Sequence, residues 1–172
     1  MVLREELSEG IVAITLNRPE SLNALSPALF SELNQIVTEL SKQTDSVGCV
    51  ILRGAGRCFS AGNDLKAVRS GVKAKEKFFQ AKTIDLIEKL PQPTIASVHG
   101  HCLTGALELA LACDLMITSE SANLADTHGK WGMVPGWGMS VRLPRRVGLL
   151  KAKEMMFTCL LYTSDAADEW LR

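Results

Sequence analysis

Two hydrophobic rhythms alternate along this chain. Val2–Leu7 and Ile11–Leu16 alternate apolar and polar side chains, which predicts two strands joined by a turn at Ser8-Glu9-Gly10. Ser26-Pro27 then has the form of an N-cap with proline at the first helical position. Leu29, Phe30, Leu33, Ile36, Val37 and Leu40 follow at helical spacing. Val47–Leu52 (VGCVIL) reads as a buried strand running into the glycine-containing loop RGAGRCFSAGND. A lysine-rich helix is expected over Val72–Leu90, with Phe78, Phe79, Ile84, Ile87 and Leu90 on its buried side and Pro91 and Pro93 ending it. The strand TIASV, an apolar helix around Glu108 and the strand DLMIT come next. GKWGMVPGWG is a loop, followed by helices at about Ser140–Arg146 and Leu149–Phe157. Strands alternating with helices, without repeats or an interdomain linker, predict one α/β domain.

Composition narrows the picture. The 172 residues are 47% hydrophobic and 22% charged, enough for a core and unlike a disordered chain. Lys plus Arg and Asp plus Glu balance at 19 each, which gives no support for nucleic acid or a membrane surface as partner. No stretch of about 18 uncharged apolar residues occurs; Thr94–Thr118 comes nearest and is interrupted by Glu108 and Asp114. The N-terminus lacks a basic head followed by an apolar run, so no secretory signal is expected. The five cysteines, Cys49, Cys58, Cys102, Cys113 and Cys159, are odd in number and have no CxxC spacing. Cys49 and Cys113 read as small core residues, and a reduced, cytoplasmic setting fits the set. His99, His101 and His128 form no plausible ligand set, so no metal is expected; His99 and His101 flank a glycine at a loop or strand end.

Three places could carry chemistry. In FSAGNDL (Phe59–Leu65) a strand feeds a turn that starts a helix, and Gly62 lets main chain come close to a ligand; an ordinary glycine turn is the alternative. In LTGALE (Leu103–Glu108), Gly105 opens a second helix behind a buried strand. Two such N–H groups aimed at one point would form an oxyanion hole, which thioester chemistry needs. Glu108 stands one helical turn beyond Gly105, among Leu and Ala. Burial should raise its pKa and suit it to acid–base work; a structural salt bridge or an exposed helical stripe are the alternatives.

Four segments in order, LNRPESLNALS, VILRGAGRCFSAGNDL, PTIASVHGHCLTGALELALACDLMI and GMVPGWGMSVRLPRRVG, resemble the enoyl-CoA hydratase/isomerase (crotonase) superfamily over about Val2–Phe157. The resemblance implies a crotonase-like spiral of ββα units with two roughly perpendicular sheets. It implies an acyl-CoA thioester held with its carbonyl between two main-chain N–H groups, which fall here on Asn63 and Gly105. Ala24, Leu25, Ala61, Gly62, Asp64, Leu65, Leu103 and Thr104 fall where the family lines the CoA and acyl groove. Glu108 matches the first of two catalytic glutamates, the one that activates water at the carbon β to the thioester. No cofactor is implied beyond coenzyme A as part of the substrate, and trimers or pairs of trimers are the implied assembly.

The match departs from the family at two places. Counting back from Pro135 puts His128 where the second glutamate belongs. A histidine can exchange the α-proton there, or can merely line the pocket. Asp126 could substitute only if the local backbone shifts. Hydration or dehydration of an enoyl-CoA is the expected reaction. Isomerisation, thioester hydrolysis and non-catalytic acyl-CoA binding are the rivals. Beyond Thr158 the resemblance fades. CLLYTSDAADE (Cys159–Glu169) looks like a translated sequencing adapter, so residues 159–172 are expected to be a tail foreign to a core at 1–158 that is incomplete at its C-terminal end. SDAADEWL loosely resembles the family's next helix and keeps a natural origin open.

Overall fold

The computed structural model describes residues 1–72 and 75–163. Strands β1 (Val2–Ser8) and β2 (Ile11–Leu16) form the expected antiparallel hairpin, pairing Val2 with Leu16 and Glu6 with Val12. β3 (Cys49–Gly54), β4 (Thr94–Val98) and β6 (Leu115–Thr118) continue the sheet in parallel, in the order β1-β2-β3-β4-β6. Parallel pairing requires a crossover between successive strands, and helices fill that role here. β1 is exposed along all but its first residue, whereas β2 is buried from Val12 onward. Strands covered on both faces carry near-continuous apolar runs, as IVAITL does.

A second, smaller sheet pairs β5 (His101–Leu103) with β7 (Asn123–Ala125) in parallel. Single bridges extend it: Ser60 to Cys102, Leu25 to Asn63, and Leu124 to Tyr162. Each turn of the spiral therefore runs from a strand of the large sheet, round a corner, along an extended piece of the small one and into a helix. The crossover helices are α1 (Pro27–Leu40), α2 (Leu65–Arg69), α3 (Phe79–Glu88) and α4 (Gly105–Leu111), followed by α5 (Met139–Val147) and α6 (Leu149–Thr158).

Helix α1 forms as its pattern predicts. Ser26 Oγ accepts from Leu29 N at 3.2 Å, Pro27 opens the helix, and Leu29, Phe30, Leu33, Val37 and Leu40 are buried. α3 is a correction: it starts at Phe79, not Val72, and Phe78 is 64% exposed in a left-handed conformation. The reason is packing. Phe79, Thr83, Ile84 and Ile87 face inward, while Lys75, Glu76 and Lys77 have no apolar face to bury, and a short helix needs one. Lys73 and Ala74 lie outside the described residues. β5 and β7, three residues each, carry no periodic signal and were not expected as strands. Cys113 is buried as expected, whereas Cys49 is only half-buried. Residues 164–172, most of the expected tail, also lie outside the described residues; Tyr162, just before them, exchanges two main-chain bonds with Leu124 at 2.8 and 2.9 Å.

Asn23 pins the corner between the two sheets. It is 0% exposed at φ 53°, and its Nδ2 donates to Ala55 O at 2.8 Å and Cys58 O at 2.9 Å. Its Oδ1 accepts from Arg18 N at 2.8 Å. Asn23→Ala would leave those carbonyls unpaired and place alanine in the left-handed region. A loss of about 2–4 kcal/mol in urea unfolding is expected; a loss below about 1 kcal/mol would show that water replaces the amide.

Candidate active site

The chain from Ser60 to Asp64 changes partners at nearly every residue. Ser60 N donates to His101 O at 2.9 Å and Leu103 N to Ser60 O at 3.2 Å, joining this segment to β5. Leu25 N then donates to Gly62 O at 2.8 Å, and Asp64 N to Leu25 O at 3.2 Å. In such a parallel bridge the flanking residues make the bonds, so the N–H of Asn63 itself turns away from Leu25. Gly62 sits at φ +95°, and a Cβ there would lie 2.6 Å from Leu103 O and 3.5 Å from Gly105 N. The two glycine bends singled out in the sequence thus touch each other through Gly62.

Thr104 enters α4 at φ 56°, ψ −114°, an unusual conformation for a residue with a side chain. It is held there by its N–H on Ala125 O at 2.8 Å, by Thr127 N donating to its Oγ1 at 3.3 Å, and by a short hydroxyl contact with Thr127. Gly105 follows at the first helical position, where N–H groups have no intrahelical partner. Among the described residues neither Asn63 N nor Gly105 N donates to a protein acceptor. A Cβ on Gly105 would meet the Trp137 indole at 2.4 Å, so the ring lies directly on the bend.

Glu108 is buried with 1% exposure, which rules out an exposed helical stripe. Its Oε1 accepts from Trp137 N at 2.7 Å and Met139 N at 3.1 Å. Its Oε2 faces His128 Nε2 at 3.7 Å, and no Lys or Arg pairs with it among the described residues. Burial pushes the carboxyl above its ordinary value. The Met139 and Trp137 amides and His128 pull it down, Asp126 adds to the rise, and the net direction is up.

His128 opens a single 3-10 turn, His128–Trp131, and is 8% exposed. Asp126, 1% exposed, accepts from His128 N at 3.1 Å and pairs with Nδ1 at 2.5 Å. A carboxylate on Nδ1 fixes the ring and turns Nε2 toward Glu108. Asp126 binds Nδ1, while Nε2 is the ring nitrogen that faces Glu108. The sequence carried only the i, i+2 spacing of this pair, and nothing in it pointed to the amides of Trp137 and Met139.

Two cavities meet at Leu65. One, of about 280 Å³, is walled by Ala61, Asn63, Leu65, Leu103, Thr104 and Thr127, and reaches Leu161. The other, of about 350 Å³, is walled by Ala24, Asp64 and Leu65 with Arg18, Arg57 and Lys66. Glu108 and His128 line neither, although Thr104 lies one helical turn before Glu108 and Thr127 adjoins His128. Leu25 is 1% exposed in the core and meets Asn63 through its main chain. Asp64 caps α2, accepting from Lys66 N and Ala67 N at 3.1 Å each, and pairs with Arg18 at 2.9 Å. Burial pushes its carboxyl up, but Arg18 and the cap amides together hold it below the ordinary value.

Solved structures share this spiral. An enoyl-CoA hydratase from Bacillus anthracis matches with a TM-score of 0.88 and 37% identity, over 98% of this chain and 67% of that one. A putative enoyl-CoA hydratase from Thermobifida fusca, solved in complex with acetoacetyl-CoA, matches with a TM-score of 0.86 and 25% identity, over 98% and 70%. The fold is thus crotonase-like, an α/β spiral with two sheets. The family model for enoyl-CoA hydratase/isomerase matches residues 6–170, and the chain belongs to that family. Among its relatives, the probable enoyl-CoA hydratase 1, peroxisomal, of Arabidopsis thaliana is 39% identical over 93% of this chain and 60% of its own length. The putative enoyl-CoA hydratase/isomerase YngF of Bacillus subtilis is 41% identical over 94% and 64%. The chain therefore spans about three fifths of the length of these relatives. No helix among the described residues is long and apolar enough to cross a membrane.

Proposed function

We propose that the protein hydrates an enoyl-CoA thioester, or dehydrates the corresponding 3-hydroxyacyl-CoA, through an enolate held by Asn63 N–H and Gly105 N–H. The observation that carries this reading is the facing pair Glu108 Oε2 and His128 Nε2, 3.7 Å apart and buried beside the helix that Gly105 opens. That gap is too long for a direct hydrogen bond, and a water lying beside the pair, not between them, would touch both atoms at about 2.8 Å.

In the forward direction Glu108 takes a proton from that water as its oxygen adds to Cβ. The double-bond electrons move onto the thioester oxygen, where the two main-chain donors stabilise the developing charge. His128, protonated at Nε2 and steadied by Asp126, delivers its proton to Cα. The proton on Glu108 then passes to His128 by way of the next water to bridge the pair, which restores the starting state. Coenzyme A enters and leaves as part of the substrate, and the cations Arg18, Arg57 and Lys66 suit its phosphates. The thiols of Cys58, Cys102 and Cys113 are pushed up by burial and stay protonated, so none competes as a nucleophile. Five free cysteines suit a reducing compartment such as the cytoplasm.

The test is a panel of enoyl-CoA thioesters of increasing chain length, followed by loss of the conjugated double bond's ultraviolet absorbance. Turnover of at least one thioester is expected. Thiol release without that loss would replace this reading with hydrolysis, and binding without turnover would replace it with a carrier role. His128→Gln should lower kcat by about 10²–10⁴-fold. Asp126→Asn should cost less, because the ring survives and only its orientation loosens. Equal activity of His128→Gln and wild type would remove histidine from the chemistry.

A further inference from the structure

Arg142 is the most deeply buried cation of the described chain, with 6% exposure, and it lies outside both cavities above. Its Nη1 donates to Trp137 O at 2.7 Å, and its Nη2 donates to Asp85 Oδ1 and Glu88 Oε2 at 2.6 Å each. Those carboxylates belong to α3 and are 49% and 42% exposed, so the pairs reach the surface while the guanidinium does not. Its Nε has no hydrogen-bond partner among the described residues. A buried ion pair of this kind is a weak source of stability, since an apolar side chain of similar volume often serves as well. What it does supply is a fixed direction.

That direction ends on Trp137. This residue is gripped at both main-chain polar atoms: its C=O by Arg142, and its N–H by Glu108 Oε1 at 2.7 Å. Two residues on, Met139 N donates to the same carboxylate oxygen at 3.1 Å. The Trp137 ring covers Gly105 and packs edge-on against Phe30, with centroids 5.0 Å apart at 74°. One cation thus reaches, through one residue, both the acid and the bend at Gly105.

We propose that Arg142 is a positioning residue for Glu108: anchored on Asp85 and Glu88 of α3, it sets the turn 137–139 whose two amides hold Oε1 and leave Oε2 facing His128. The role assigned to Glu108 rests on the function proposed above. The groups that face Glu108 are the Trp137 and Met139 amides from the turn into α5, and His128 with Asp126 from the segment after β7. Arg142 touches none of the reacting atoms. Losing it slackens the two amides that favour the charged carboxylate, while the burial that opposes the charge remains.

The experiment compares Arg142→Met, Arg142→Lys and the double variant Asp85→Asn/Glu88→Gln. Its readouts are kcat, KM, the acid limb of the pH–rate profile, and the Glu108 carboxyl titration followed by carbon-13 NMR. The resonance is assigned by its loss in Glu108→Gln. Arg142→Met is expected to lower kcat by about 10- to 100-fold with little change in KM. The carboxyl titration and the acid limb should both move to higher pH. Lysine reaches either Trp137 O or the acids but not both, so it should recover part of kcat; the double variant should fall between. Should Arg142→Met fail to fold, the other two variants carry the test. An unmoved Glu108 titration in the folded variants, or a rise in KM at constant kcat, overturns the proposal. The titration needs no turnover, so it decides the positioning role even if the wild type proves inactive as a hydratase.

Discussion

Glu108→Gln is expected to cut hydration by about 10²–10⁴-fold and to raise the thermal midpoint at neutral pH. Glutamine keeps a side-chain oxygen that can accept from Trp137 and Met139, so the fold loses little. What disappears is a carboxylate whose burial works against its charge. Its folded pKa lies above the ordinary value of 4.5, so the folded state binds the proton more tightly than the unfolded chain does. Stability from this group is therefore fully present below 4.5 and is lost as pH rises through the folded value. The variant's advantage should open across that window, hold above it and vanish below it. The acid limb of the wild-type pH–rate profile should lie above the ordinary carboxylate range for the same reason. Thermal unfolding of both proteins from acid to neutral pH checks the sign: a variant less stable than wild type at neutral pH would mean that His128 more than offsets burial.

Gly62→Ala should be nearly as damaging, through geometry alone. The new Cβ would stand 2.6 Å from Leu103 O, a main-chain atom that cannot swing aside, at φ +95°. Strain and clash together should cost about 2–4 kcal/mol, a large share of the 5–15 kcal/mol typical of a domain. The bends carrying Asn63 and Gly105 would be forced apart, so kcat should fall as well. Gly71→Ala is the control: φ is +71°, but no described residue lies within 4 Å of the added carbon. It should cost about 1 kcal/mol and leave turnover unchanged. Similar losses from both substitutions, in stability and in rate, would show that backbone conformation and not the touching bends decides the outcome.

Much of this arrangement can be read in the sequence where the signal is local. The β1–β2 hairpin, the Ser26 cap of α1, and the strands β3 and β4 all follow from period and punctuation within a few residues. Gly62, Gly105 and Glu108 stand out for the same reason, each odd in its immediate surroundings. His128 emerges only from its position relative to Pro135 within the family pattern. The rest depends on contacts that no window captures. Trp137 and Met139 reach Glu108 from 29 and 31 positions away, and Arg142 reaches Asp85 from 57. These are main-chain amides and a long flexible side chain, and neither announces its partner by residue type. At the start of α3 the lysines and Phe78 fit a helical pattern, while tertiary packing supports the helix only from Phe79 onward.

The spiral also governs the order in which the molecule can assemble. Residues 17–48 separate β2 from its parallel neighbour β3, and residues 55–93 separate β3 from β4. Each pairing must close a long loop before it gains a contact, which makes such a topology slow to form. Asn63 and Gly105 come from successive windings and His128 and Trp137 together from the one after, so these pieces meet only once the windings have stacked. The geometry of the candidate site is then among the last features a refolding chain recovers, well after most of its secondary structure is in place.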